Sequence, residues 1–497
     1  MCKMIGYGIM CAMKDNIHSI VPDNGRKITR RSFFTSAVAA GATARFAPLF
    51  ASSTPLLVKP TPQQVVWSDQ ELGMFFHMDL PIFQRRGKNV NTEHCQDILD
   101  PRIYNPAKLD TDQWMEAAKA MGAKYVVFVA YHGSGFMQWQ SDLFPYGLKQ
   151  SPWRGGKGDV VRSFVESARK YGMKPGLYAY ARGGKYLDSQ FPVKRADGSV
   201  DMAMQKAKSK MIERYLEELW RDYGEFFELW YDGGVLPVSQ GGPDVESLVA
   251  KYQPNAILFQ GPGHMKNLVR WVGNERGVAP YPCWSTTEHV TQSHGDKEGR
   301  FAGHPDGAKW IPGECDLPLR FHRWFWTPEN EPKRGWRYWT DDELVDKYYT
   351  SVGRNCNMLL NANINTDGLV PEEDFGYYVR LGKNIRARFA NPLATASGEG
   401  DVLEMALPAP GPVNQIAISE DIREGQRIRA YKVEGLLPGG GWKTLCEGTS
   451  VGHKRIQMFA PEAVARLRFT ATASAAKPIL KSFVAWNVKG KLAGMGA

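Results

Sequence analysis

Phe227-Glu228-Leu229-Trp230-Tyr231-Asp232-Gly233-Gly234 runs an apolar stretch into an aspartate and two glycines. An apolar run of this length suits a strand buried on both faces, as in a parallel sheet. A carboxylate just past such a strand stands where barrel enzymes keep their catalytic groups. Asp232 would serve equally well as a helix N-cap, a purely structural use of aspartate. The surrounding chain favours the first reading.

Strands and helices alternate from about residue 62. Leu72–His77, Tyr125–Ala130 and Pro175–Tyr180 read as strands before this one, and Ala256–Gln260, Leu268–Val272 and Asn357–Asn361 as strands after it. Trp114, Ala117, Ala118 and Met121 keep helical spacing, and Asp159 can cap a helix carrying Val160, Val161, Phe164, Val165 and Ala168 on one face. Further helices are expected over roughly 200–224, near 341–355 and across 371–389. Repeated units of this kind predict an α/β fold, a (β/α)₈ TIM-type barrel over residues 62–390. The competing doubly wound sheet lacks a Gly-x-Gly-x-x-Gly turn after its first strand. Beyond Pro392, short alternating runs and Pro438-Gly439-Gly440-Gly441 predict a C-terminal all-β sandwich over residues 395–490.

The chain has 497 residues, 43% hydrophobic and 23% charged, values that fit a soluble globular protein of two domains plus tails. Half of its formal charge of +10 lies in residues 1–52, where seven basic residues face only Asp15 and Asp23. What remains is too thinly spread for a nucleic-acid surface. No apolar run is long enough to span a membrane. The cysteines beyond the leader are odd in number and widely spaced, which argues against a disulfide framework or a zinc site. Neither a metal nor a cofactor is expected.

His77, His132, Tyr178, Asp232, Arg270, Trp271 and Glu275 all fall at or just past the same end of predicted strands, the active face of a barrel. Two carboxylates on neighbouring strand ends fit glycoside hydrolysis, one attacking the anomeric carbon and the other handling protons. Asp232 and Glu275 form that pair, and Glu314 is the rival acid. No His-Glu-x-x-His, Gly-x-Ser-x-Gly or Walker loop points elsewhere.

At this point the chain resembles the α-L-fucosidases of glycoside hydrolase family twenty-nine. The resemblance rests on Gly73-Met74-Phe75-Phe76-His77, on Trp114 with Gly122-Ala123-Lys124-Tyr125, and on Gly176-Leu177-Tyr178. It continues through Leu229–Gly233, Trp271-Val272-Gly273-Asn274-Glu275, Trp324-Phe325-Trp326 and Leu359-Leu360-Asn361 with Asp367-Gly368. Glu420-Asp421-Ile422, Gly425-Gln426-Arg427 and Gly452-His453-Lys454 are similar to the family's C-terminal, galactose-binding-like sandwich. The resemblance implies a retaining exo-enzyme releasing terminal fucose from an oligosaccharide or glycoconjugate, with Asp232 as nucleophile and Glu275 as acid/base. The expected sugar-binding set is His77, Glu93, His132, Tyr178, Trp230, Arg270, Trp271, Glu314 and Trp326.

One departure bears on specificity. The family reads Lys-His-His-Asp-Gly-Phe where this chain has Tyr131-His132-Gly133-Ser134-Gly135-Phe136, so one imidazole and one carboxylate are missing. Glu93-His94 likewise stands where Glu-Trp is expected. A related exo-glycosidase acting on another terminal sugar, or a glycan-binding protein without catalysis, are the alternatives.

Residues 1–52 read as a leader. Arg30-Arg31-Ser32-Phe33-Phe34 followed by Ala37–Ala42 resembles a bacterial twin-arginine signal, implying a periplasmic protein cleaved between about residues 44 and 52. Replacing both arginines by lysine is expected to hold the protein inside the cell; undiminished periplasmic protein in fractionated cells would contradict this.

Overall fold

The computed structural model describes residues 57–84, 97–188, 192–287, 300–327 and 337–490. The twin-arginine segment, Glu93 and His94 lie outside these residues.

Eight parallel strands close into a barrel: β1 (Leu72–His77), β2 (Tyr125–Tyr131), β3 (Lys174–Ala179), β4 (Glu228–Trp230), β5 (Ile257–Phe259), β6 (Leu268–Trp271), β7 (Gly313–Leu317) and β8 (Cys356–Asn363). Each pairs with its neighbours in sequence, and β8 closes on β1 with Leu72 opposite Met358 and His77 opposite Asn363. Seven of the eight strands are those expected from sequence. The eighth, Gly313-Glu314-Cys315-Asp316-Leu317, has no apolar run to announce it.

Of the helices, α1 (Pro62–Ser68) turns Trp67 into the barrel's inner cluster at the end where the strands begin, and α2 (Thr111–Met121), α3 (Val160–Lys170), α4 (Met202–Asp222), α5 (Val245–Tyr252), α6 (Asp341–Ser351) and α7 (Glu372–Phe389) pack outside. Local chemistry sets their ends. Asp110 accepts from the Asp112 and Gln113 amides to start α2, and Gly122, at φ 99°, stops it. Asp159 caps α3 through the Arg162 amide. α4 buries Ile212, Tyr215, Leu216, Leu219 and Trp220, the spacing of a helix lying on the sheet. Among the described residues no α-helix separates β5 from β6 or β6 from β7, so the repeat is incomplete there. Asp244 is the N-cap of α5, so Asp232 is not a helix cap.

Every second strand residue points into the barrel. Phe75, Tyr125, Val127, Val129, Tyr178, Trp230, Ile257, Phe259, Val269, Trp271 and Leu359 form one inner cluster. Gly73 is small because Tyr125 lies across it; a Cβ there would come within 2.4 Å of the tyrosine ring.

Six further strands, β9 (Ala394–Glu399), β10 (Val402–Glu420), β11 (Ile428–Leu436), β12 (Trp442–Gly448), β13 (Arg455–Ser474) and β14 (Ile479–Trp486), form the C-terminal all-β part. They join in one antiparallel sheet of order β9-β14-β10-β13-β11-β12 with its own core, including Val413, Ile416, Val433, Leu467, Phe469 and Phe483. The sheet docks on the end of the barrel where the strands begin. The His453 amide donates to Asn355 Oδ1 at 2.7 Å, the His453 imidazole and Lys481 each meet Asp69 at 2.9 Å, and Lys454 donates to Glu71. The opposite end, where strands terminate, is left for the site.

One buried ion pair fixes a loop over that end. Arg320, 1% exposed at its side chain, donates to Asp374 Oδ1 at 2.8 Å, and Tyr338 donates to the same oxygen at 2.6 Å. A third bond, from Arg320 to the Thr327 carbonyl at 3.2 Å, ties down residues 320–327. Removing one partner of such a pair strands a buried charge. Asp374→Ala is expected to lower unfolding stability by about 3–5 kcal/mol in urea titration; a loss below about 1 kcal/mol would show that the pair behaves like a surface bridge.

Candidate active site

Inward-facing residues at the ends of seven strands converge with two loops. His77 ends β1, His132 follows β2, Tyr178 belongs to the end of β3 and Asp232 follows β4. Trp271 ends β6, Asp316 lies near the end of β7, and Asn361 and Asn363 close β8. Glu275 comes from the loop after β6, and Trp324 from the loop after β7.

Asp232 is exposed and accepts a hydrogen bond from the Tyr178 hydroxyl at 3.2 Å. Its turn depends on the glycines that follow. Gly233 has φ 64° and Gly234 φ 76°, and the Gly233 carbonyl accepts from Arg182 at 2.5 Å. Trp230, two residues before Asp232, stacks on Phe259 at 3.8 Å between ring centroids and on Tyr178 at 5.5 Å. Trp230 is therefore the floor beneath the carboxylate, with little surface left for a sugar.

Glu275 is also exposed, and the Trp324 indole donates to it at 3.0 Å. Trp324 leans on His77, with 5.1 Å between ring centroids, and its backbone carbonyl accepts from Asn361 at 3.0 Å. Asn363 holds the Arg323 carbonyl at 3.3 Å, so the end of β8 aims this loop. Trp324, rather than the half-buried Trp326, is the tryptophan brought to Glu275.

Behind Glu275 stands Asp316. The Trp271 indole donates to it at 2.7 Å, while burial and the Glu275 charge push its carboxyl well above the usual range. Asp316 was legible in sequence only as a neighbour of Glu314.

Glu314 itself lies one inward-facing step deeper in the barrel. It is fully buried and accepts from the Tyr125 hydroxyl at 2.6 Å and the Trp230 indole at 2.9 Å. Glu228, likewise buried, is pushed well upward by burial and by the Glu314 charge, and burial raises Glu314 too. Glu314 is thus a support under the site, out of reach of a sugar at the rim. Arg270 is also placed elsewhere. It is adjacent to inward-facing Trp271 and so turns outward, where it donates to the carbonyls of Ile311, Trp284 (2.7 Å) and Phe301 (3.3 Å).

His77 is nearly inaccessible, and burial together with His132 pushes its imidazole down to about 3, so it is neutral at physiological pH. Neutral imidazole can both donate to and accept from a hydroxyl. His132 packs against Tyr178 at 5.6 Å and Phe325 at 4.8 Å. Asp79 Oδ2 lies 4.0 Å from its Nδ1, and Asp79 Oδ1 accepts from Ser134 Oγ at 2.7 Å. Burial raises the Asp79 carboxyl to about 7 against the pull of the Ser134 and Leu80 bonds. Asp79 was not foreseen, although it stands two residues past His77, in register with the same face. At Gly133 an added Cβ would meet no atom of the described residues within 4 Å, so none of those residues fills the place of the missing imidazole.

This end of the barrel therefore offers exposed carboxylates on two supports, neutral imidazole, and aromatic surfaces, an arrangement suited to a sugar ring. Among the described residues no cluster of His, Cys, Asp and Glu is arranged to hold a metal ion.

The family model for alpha-L-fucosidase matches residues 89–387, more than half of the chain. Alpha-L-fucosidase 1 of Arabidopsis thaliana is 31% identical over 449 residues, covering 82% of each chain. A candidate alpha-L-fucosidase of Bacteroides thetaiotaomicron VPI-5482 has a solved structure 39% identical in sequence, with TM-score 0.80 over 87% of this chain and 100% of that one. A glycoside hydrolase 29 family member from an unknown rumen bacterium is 28% identical, with TM-score 0.73 over 89% and 79%. A barrel with this constellation at its strand ends, a matching family model and relatives of nearly full length agree on one conclusion: the chain belongs to the alpha-L-fucosidase family of glycoside hydrolases.

Proposed function

We propose that the protein is a retaining exo-α-L-fucosidase in which Asp232 is the nucleophile and Glu275 the acid/base. The observation that carries this reading is the presence of two exposed carboxylates at the same end of the barrel, Asp232 just past β4 and held by Tyr178, Glu275 in the loop after β6 and held by Trp324. Asp232 attacks the anomeric carbon while Glu275 protonates the departing oxygen. The bond to the aglycone breaks and a glycosyl ester on Asp232 forms. Glu275, now a carboxylate, takes a proton from water, which attacks the same carbon and releases the sugar with its anomeric configuration retained. Glu275 is preferred to Asp316 and Glu314 because it is exposed and can exchange protons with solvent. Asp316 is buried against Trp271, and both Glu314 oxygens are occupied.

The glycine at position 133, which no described residue crowds, favours a second reading of specificity. A site with a glycine where relatives carry an imidazole has more room and one donor fewer, so a larger or differently substituted glycan fits better than a bare aryl fucoside. A different terminal sugar is the further form of the same reading.

Both readings are tested by kinetics on a panel of aryl glycosides with good and poor leaving groups, alongside a branched fucosylated oligosaccharide. The α-L-fucosides are expected to be cleaved, and the branched glycan with higher kcat/KM. Glu275→Ala is expected to lower kcat/KM by about 10²–10⁴-fold on poor leaving groups and far less on good ones. Equal losses on both would remove Glu275 from the acid/base role. Cleavage of only a different glycoside would overturn the sugar assignment, and no cleavage of any would favour a binding protein.

A further inference from the structure

The Asp232 carboxylate is mounted on a soft turn. Gly233 and Gly234 both have positive φ, and the Gly234 amide closes the turn on the Tyr231 carbonyl at 3.1 Å. Consecutive glycines can take many backbone conformations, and a misplacement of about 1 Å can cost a reaction about 10²-fold. A nucleophile carried this way needs a hold from outside its own turn.

Arg182, half-buried in the loop after β3, supplies one. Its Nη2 donates to the Gly233 carbonyl at 2.5 Å. The guanidinium also lies close against the glycine itself, since a Cβ there would stand 3.0 Å from Nη2 and 3.3 Å from Cζ. Gly233 therefore serves two needs, the positive φ and the approach of the cation. A lysine could bring charge to this place, but the planar fork of arginine bonds a carbonyl with less freedom to lose. Burial pushes the nearby Tyr180 hydroxyl up, Arg182 pulls it down and Asp232 pushes it up, so cation and carboxylate stand near one phenol.

The loop that carries Arg182 is fixed in turn to the loop that carries His132. The Tyr131 hydroxyl donates to the Gly183 carbonyl at 2.6 Å, and the Lys185 amide to the Gly133 carbonyl at 2.7 Å. At Gly184 an added Cβ would come within 2.7 Å of the Gly135 Cα, so the two loops touch backbone to backbone. We propose that Arg182 is a positioning residue for the nucleophile, its guanidinium holding the Gly233 carbonyl so that the loop after β2 sets the conformation of the Asp232 turn.

This inference rests on the reading of Asp232 as nucleophile. Its test compares affinity for L-fucose, by calorimetry, with turnover of an activated aryl α-L-fucoside in the intact protein and its variants. Arg182→Ala is expected to lower kcat/KM about 10–100-fold, the worth of a hydrogen bond from a charged group. The Kd for L-fucose is expected to change less than about threefold, because the sugar-binding side chains stay in place. Guanidinium ion added at a non-denaturing concentration is expected to restore part of the lost rate in Arg182→Ala, and methylammonium is not. Arg182→Lys, which keeps the charge and loses the fork, is expected to fall between Arg182→Ala and the native protein. If Arg182→Ala does not fold, Arg182→Lys decides alone. Native kcat/KM in either variant, or an equal loss of affinity and rate that guanidinium does not restore, would overturn the proposal. A native protein that cleaves no fucoside would overturn the functional reading and this inference with it, whereas undiminished turnover in a variant of an active enzyme sinks this inference alone.

Discussion

The bonds from Tyr125 and Trp230 to Glu314 are the constraint on which the upper half of the barrel depends. A closed parallel barrel points every second residue inward, and these inward positions must be filled without leaving polar atoms unpaired. Glu314 fills its place only because a phenol from β2 and an indole from β4 both reach it. Those two bonds fix the Trp230 ring, which stacks between Phe259 and Tyr178. Tyr178 in turn donates to Asp232. The exposed carboxylate at the rim is thus held by a chain of contacts that begins at a buried one, and Gly73 makes the first link possible by leaving room for Tyr125.

The opposite wall works by different means. Loops rather than strands carry Glu275 and Trp324, and loop residues are placed by whatever anchors their backbone. Asn361 and Asn363 grip that backbone from the end of β8, while Arg320 and Asp374 pin its far side. One half of the site is therefore rigid through packing, and the other through hydrogen bonds to carbonyls. The C-terminal part contacts the strand-start end at Asp69, Glu71 and Asn355, and it also holds the stretch that follows Glu275, where the Cys283 and Ser285 amides donate to Ser450 and Gln426. The Gly452-His453-Lys454 segment, noticed first as part of a resemblance, is one of the pieces that makes this docking.

Seven barrel strands were legible because buried parallel strands are written as apolar runs. β7 escaped because its two inward positions are Glu314 and Asp316, so its sequence looks polar although all five residues are buried. The same alternation explains the residues assigned to the wrong place. Arg270 stands next to inward-facing Trp271 and must turn outward; strand-end position alone hid that. Glu314 faces inward but one step too deep. Asp79 carried a readable signal, two residues beyond His77 on one face, yet its bonds to the Leu80 amide and the Ser134 hydroxyl are to neutral groups that no sequence pattern pairs with it. Trp324 could not be separated from Trp326, since a loop has no period to decide which indole reaches Glu275.

The central claim is that Asp232 becomes covalently bound to the sugar. A 2-deoxy-2-fluoro-L-fucosyl fluoride slows both steps through its electron-withdrawing fluorine, while its good leaving group keeps the first step faster than the second, so the glycosyl-enzyme accumulates. Peptide mass mapping of the inactivated protein is predicted to place one fluorofucosyl group on the Asp232 carboxyl. A label on Asp316, Glu275 or any other residue, or full resistance in a protein that hydrolyses aryl fucosides, would contradict the account.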